Sequence, residues 1–188
     1  MENQTLALIA SFIAMAFVIM AYFVKKKAYY LLCELLCIIF LVISYFFTVQ
    51  FFAMIGLAVG LFRTVTFFVY ENKDKQAPIV WSFLFSGLTI ASYFIVNFGI
   101  LKTAQPLDVL CVVALVTYAF IFRIRNLKIV RFAMIIPTVL SILFNVLTQA
   151  AIFATLTYVF ELCANVISIF KYHVFGKENN DIQQNIVK

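Results

Sequence analysis

The chain has 188 residues, of which 65% are hydrophobic and 12% charged, and its mean hydropathy is +1.08. Soluble domains are about half apolar and about a quarter charged, so this composition excludes a water-soluble globular fold and makes lipid the solvent. Fourteen Lys and Arg against eight Asp and Glu give a net charge of +6, which membrane topology and anionic inner-leaflet lipid account for without a nucleic-acid partner.

A spanning helix needs about 20 apolar residues, because the hydrocarbon core is about 30 Å thick and each residue rises about 1.5 Å. The apolar runs predict seven such spans. The first, Leu6 to Val24, lacks a basic leading region and is followed by Lys25, Lys26 and Lys27, which makes it a span and not a cleaved secretory signal. Its Ala10 and Ala14 offer a small-residue face to another membrane subunit. The second, Ala28 to Phe47, carries Cys33, Glu34 and Cys37, and the third, Phe51 to Tyr70, carries Arg63. Only Thr48, Val49 and Gln50 separate them, yet an unbroken helix from Ala28 to Tyr70 would be about 65 Å long, roughly twice what a bilayer hides. Length forces a hairpin there.

The fourth span, Pro78 to Val96, contains Trp81 and Gly87. The fifth, Leu107 to Phe122, opens on Asp108, where a carboxylate suits the positive end of a helix dipole. The sixth, Ile129 to Leu147, holds Pro137 and Asn145; the seventh, Ala151 to Phe170, holds Glu161 and Asn165. The same length argument breaks them at Thr148, Gln149 and Ala150. Beyond Lys177 the composition turns polar, as expected of a cytoplasmic tail over residues 177–188.

Basic residues collect in alternate gaps: Lys25 to Lys27, then Lys73 and Lys75, then Arg123, Arg125, Lys128 and Arg131, then Lys171, Lys177 and Lys188. The excess of Lys and Arg in cytoplasmic loops makes that side the inside, with the N-terminus outside and the C-terminus inside. The basic clusters before spans two and six, and the two hairpins, recur at an offset near 100, and Arg63, Phe68 and Tyr70 fall on Asn165, Phe170 and Tyr172 at an offset of 102. The expected architecture is therefore an all-α polytopic membrane protein of two parallel three-helix repeats and a linker helix, three plus one plus three. The repeats are residues 1–76 and 104–176, and residues 77–103 form the inverted linker.

Charges inside a bilayer cost about 2.5 to 3.5 kcal/mol on insertion scales, so each needs a partner or a wet cavity. Glu161 and Asn165 share a face of span seven, and the repeat relation sets Arg63 at the depth of Asn165. These three are the candidate substrate-binding residues, with the guanidinium receiving a carboxylate or phosphate. The competing reading is a permanent Arg63 to Glu161 ion pair that locks the repeats together. Glu34 either snorkels to the inner surface, pairs with a base, or serves a proton-coupled step. Pro137 is the candidate hinge, since it removes a helical hydrogen bond. Asn145 and Gln149 either join helices or line an outer gate. Tyr29, Tyr30, Tyr70 and Tyr172 read as an interfacial belt. The four cysteines lie in apolar spans and the single histidine, His173, beyond the last one, so no metal, no cofactor and no enzymatic constellation is predicted.

Leu61-Phe62-Arg63-Thr64-Val65-Thr66-Phe67 and Glu161-Leu162-Cys163-Ala164-Asn165-Val166-Ile167-Ser168-Ile169-Phe170 resemble the third and last helices of the YgjV-like bacterial inner-membrane branch of the SWEET and PQ-loop transporter superfamily. The resemblance covers most of the chain and implies a multi-pass protein of the bacterial cytoplasmic membrane. No Pro-Gln pair is present, because Pro78, Pro106 and Pro137 precede Ile, Leu and Thr. SWEET carriers use two pocket asparagines; Asn165 matches one and Arg63 stands at the other, which counts against a neutral sugar. The expected function is transport of a small polar or anionic solute by alternating access around a midplane site. The alternative is a non-transporting membrane subunit or substrate-binding component of a larger complex. A second copy of the chain or another membrane subunit is left open as a partner.

Overall fold

The computed structural model describes residues 2–48, 51–100, 105–148 and 152–174. Expectations for Val49, Gln50, Lys102, Gln149, Ala150 and the tail 177–188 lie outside the described residues. Seven α-helices follow one another: α1 Glu2–Phe23, α2 Lys27–Phe47, α3 Phe51–Asn72, α4 Ile79–Phe94, α5 Asp108–Ile121, α6 Leu127–Leu147 and α7 Ile152–Ile169. Helix is the form these apolar runs take because lipid offers no partner to a free backbone N–H or C=O. Among the described residues, α1, α2, α3, α6 and α4 with its π-helical extension Ile95–Ile100 are long and apolar enough to cross a membrane. The predicted fifth and seventh spans are not in that group: α5 has 14 residues, or about 21 Å of helix, and α7 has 18.

Both predicted hairpin breaks are marked by a threonine. Thr48 follows α2 and turns its hydroxyl onto Ser44 O at 3.1 Å; Thr148 follows α6 and does the same to Phe144 O at 2.6 Å. At the other end of α6, the Asn126 side chain caps the helix by accepting from Lys128 N at 2.9 Å.

The helices pack as a ring running α1·α2, α2·α3, α3·α5, α5·α6, α6·α7 and α7·α1, in which the direct α3·α5 contact is the slightest and α4 bridges those two helices. Helix α4 packs on α3 and α5 and shows Val80, Phe83, Leu88 and Phe94 outward. Bonds between distant segments bring basic residues together at one end of the bundle, here called the basic end: Arg131 reaches Val24 O, Arg123 reaches Ala77 O, and Lys27 pairs with Glu71.

Lipid tails are as apolar as leucine, so close packing at small residues holds such helices together. Ala7, Ala10, Ala14 and Ala21 of α1 are buried, against the α2 and α7 that flank it. The alanine face expected to meet a separate subunit is therefore consumed inside the chain. Tyr30 likewise leaves the predicted interfacial belt. It is fully buried and stacks edge-on between Tyr22 and Phe122 at 5.7 and 6.3 Å.

Candidate functional site

A small cavity of ≈ 30 Å³ lies midway along the ring, lined by Glu34, Cys37, Ile38 and Leu41 of α2, Leu57 and Arg63 of α3, Leu115 and Tyr118 of α5, Phe122 after it, and Tyr158 and Glu161 of α7. All of these side chains are buried. The volume holds roughly two waters. Tyr22, Tyr30 and Phe122 floor it toward the basic end. At the opposite end Tyr45 of α2 donates to Asn145 Oδ1 of α6 at 3.3 Å.

Arg63 owes its place to glycine. A Cβ at Gly60 would stand 3.3 Å from Arg63 Nη2, and one at Gly56 would stand 2.7 Å from Leu115 Cδ1. The two glycines, one turn apart, let α3 approach α5 and leave room for the guanidinium to lie back along its own helix. There Nη1 donates to Leu115 O at 2.7 Å, and the group sits over the Tyr118 and Phe122 rings at 5.5 and 5.2 Å. Its Nε has no hydrogen-bond partner. The described residues hold two ion pairs, Lys27 with Glu71 and Arg125 with Asp74; the predicted Arg63 to Glu161 lock is not among them. Arg63 is thus a buried cation held by a carbonyl and two ring faces, with donor capacity left over.

Glu161 is held by neutral hydroxyls. Its Oε1 lies 2.9 Å from Tyr22 OH of α1 and 2.9 Å from Thr138 Oγ1 of α6. Glu34 does not snorkel: it is buried and turned into the cavity, with Oε1 lacking a partner. The structure therefore brings Arg63, Glu161 and Glu34 to one cavity.

Asn165 it sets apart. That side chain is fully buried but donates to Arg131 O at 2.8 Å, tying α7 to α6 one turn nearer the basic end than Glu161. Asn145, the predicted gate residue, meets Tyr45 as described and also donates to Ser141 O at 2.8 Å. Pro137 lies inside α6, buried beside Thr138.

Tyr22, Tyr118 and Thr138 are participants that sequence reasoning passed over. A tyrosine near a helix end reads as an interfacial anchor, and a span threonine reads as bonding its own helix. The Gly56 to Gly60 spacing was the available signal for a close helix contact.

The sequence model of the Imp-YgjV family, described as bacterial inner membrane protein, matches residues 5–174. No curated protein and no solved structure matches the chain.

Proposed function

From its membership of the Imp-YgjV family of bacterial inner membrane proteins, we propose that this multi-pass protein transports a small polar, anionic solute by alternating access around the midplane cavity. One observation carries the reading: three ionisable side chains, Arg63, Glu34 and Glu161, converge on a small space at mid-depth. Buried charge at that depth is costly and marks solute paths in membrane proteins. The spare donor of Arg63 suits a carboxylate or phosphate, whose two oxygens match the guanidinium fork. Glu161 and Glu34 bound the other side of the space and disfavour a second negative charge on the solute.

The transport reading includes a three-plus-one-plus-three architecture, SWEET-like, with the N-terminus outside and the basic end in the cytoplasm. Its support is internal. Helices α2 and α6 both have 21 residues, begin 100 positions apart and end on equivalent threonines. The contact ring maps onto itself when α1, α2 and α3 are exchanged with α5, α6 and α7, and α4 stands outside it. Tyr45 and Asn145, which occupy equivalent positions under the exchange, bond to each other. In this scheme the two triads rock about the cavity, and Pro137, which leaves α6 one backbone hydrogen bond short, is where that helix flexes.

Thermal unfolding of the purified, detergent-solubilised protein against a panel of carboxylates, phosphorylated metabolites, nucleosides and sugars tests the site. A ligand at about 100 times its Kd adds about 2.7 kcal/mol. An anionic compound is expected to stabilise the wild type and to leave Arg63→Gln unchanged. Equal stabilisation of both proteins removes Arg63 from the site.

A further inference from the structure

The position of Thr138 raises a hydrogen-counting problem. Its Oγ1 lies 2.7 Å from Met134 O and 2.9 Å from Glu161 Oε1. A threonine hydroxyl has one hydrogen, and a backbone carbonyl can only accept. If that hydrogen goes to Met134, the short contact with Glu161 is a hydrogen bond only when the Glu161 carboxyl is protonated and itself donates to Thr138. If Glu161 is ionised, it draws the Thr138 hydrogen and Met134 O loses the side-chain bond. Tyr22 OH fits either state, since both a carboxylate and a carboxylic acid oxygen accept from it.

The charge count of the cavity calls for one proton without choosing between the two carboxyls; the Thr138 contact is what assigns it to Glu161. One guanidinium, Arg63, faces two carboxyls, Glu34 and Glu161, with no further cation on the lining. The cavity is neutral when one carboxyl holds a proton, and low-dielectric surroundings favour that state.

We propose that the Glu161–Thr138 pair is a proton-binding site, occupied in this arrangement, and that the proton is the coupling ion of the transport cycle. The groups that face Glu161 are Tyr22 from α1, Tyr30 and Glu34 from α2, Arg63 from α3, Tyr118 from α5, the Thr138 hydroxyl from α6 and Tyr158 one turn back on α7. Arg63 is the cation among them. Proton binding converts the Glu161 carboxylate to the acid, and the Thr138 hydrogen turns from Glu161 to Met134 O. Proton release reverses both movements, so no other donor or acceptor is consumed.

That hydroxyl rotor sits where α6 is weakest. Pro137 has no N–H to offer Ala133 O, so the turn between Ala133 and Thr138 already lacks one helical bond. The Thr138 to Met134 bond supports this turn in the protonated state and is withdrawn in the ionised state. Proton occupancy is thereby read out as the stiffness of this turn. The coupling half of the inference rests on the transport reading; the proton site itself does not.

Infrared difference spectroscopy of the purified protein at neutral pH, in H₂O and D₂O, tests the site without any solute. The wild type is expected to show a protonated-carboxylic C=O band that shifts on deuteration. Glu161→Gln, whose amide reproduces the donor of the protonated acid and so keeps the fold, is expected to lack that band. Thr138→Val, which removes the acceptor but no ionisable group, is expected to keep the band and move it to higher frequency. Absence of the band in the wild type, its survival in Glu161→Gln, or an unmoved band in Thr138→Val overturns the assignment. None of these results bears on whether Arg63 binds a solute, so the site and the transport reading fail separately.

Discussion

The two ends of the bundle are held together by different chemistry. At the basic end the last carbonyls of α1, which have no helical partners of their own, receive a dense set of donors from α6 and α7. Arg131 Nη2 donates to Tyr22 O at 3.0 Å and to Val24 O at 2.8 Å, Ser168 donates to Tyr22 O at 2.7 Å, and Tyr172 donates to Phe23 O at 2.9 Å. A stacked guanidinium over Tyr172 and the buried Lys27–Glu71 pair add to it. Across the opposite end, the described bond between the facing helices α2 and α6 is the 3.3 Å contact of Tyr45 with Asn145. A charged donor on helix-end carbonyls is about twice as strong as a neutral pair at ordinary length, so under the proposed transport cycle the opposite end opens first and the basic end is the closed gate.

Four substitutions at three positions grade that contrast. The largest effect is expected from Arg131→Ala, which strips two carbonyls of a charged donor and removes the stack on Tyr172; a loss of about 3 kcal/mol should appear as a fall in the thermal unfolding midpoint. Arg131→Lys recovers part of it, because an ammonium cannot bond both carbonyls and lie flat on a ring. Next comes Gly56→Leu, which forces α3 away from Leu115 and displaces Arg63; overpacking costs about 2 kcal/mol, and solute-induced stabilisation should vanish with it. Smallest is Tyr45→Phe, which removes one neutral hydrogen bond worth about 0.5 kcal/mol. If Tyr45→Phe lowers the unfolding midpoint more than Arg131→Ala does, the order of the two gates is reversed.

Much of the architecture was legible because the solvent is lipid. Apolar runs of bilayer length, basic clusters between them, and the impossibility of a 65 Å membrane helix placed α1 through α7 within a few residues. The α2 to α3 break fell at Thr48 as the length argument required. The site was legible only in part. Arg63 and Glu161 announce themselves as charges within spans and do meet in one cavity. Glu34 was left open between the inner surface and a proton-coupled step because its distance from the basic cluster permits snorkelling, and only the neighbours decide which way a helix turns. A clue lay in the helical spacing of Tyr30, Glu34, Cys37, Leu41 and Tyr45, which forms the inward stripe of α2. Asn165 was placed in the pocket by the helix face it shares with Glu161 and by its match to a SWEET asparagine, but the Arg131 carbonyl takes its amide. The roles of Tyr22 and Thr138 depend on contacts across 139 and 23 residues of sequence, which no local pattern encodes.

The central claim, that the small space at mid-depth opens to water during a working cycle, can be put to Cys37. This native cysteine lines the cavity, is 3% exposed and carries a free thiol. With Cys33, Cys111 and Cys163 replaced by alanine, a membrane-impermeant maleimide is added to proteoliposomes of the folded protein, from one face and then from the other. Alternating access predicts slow labelling of Cys37 from each side, faster in Tyr45→Phe from the face opposite the basic end. A Cys37 that stays unreactive from both faces until the protein is unfolded would contradict the account and leave the cavity a sealed packing defect.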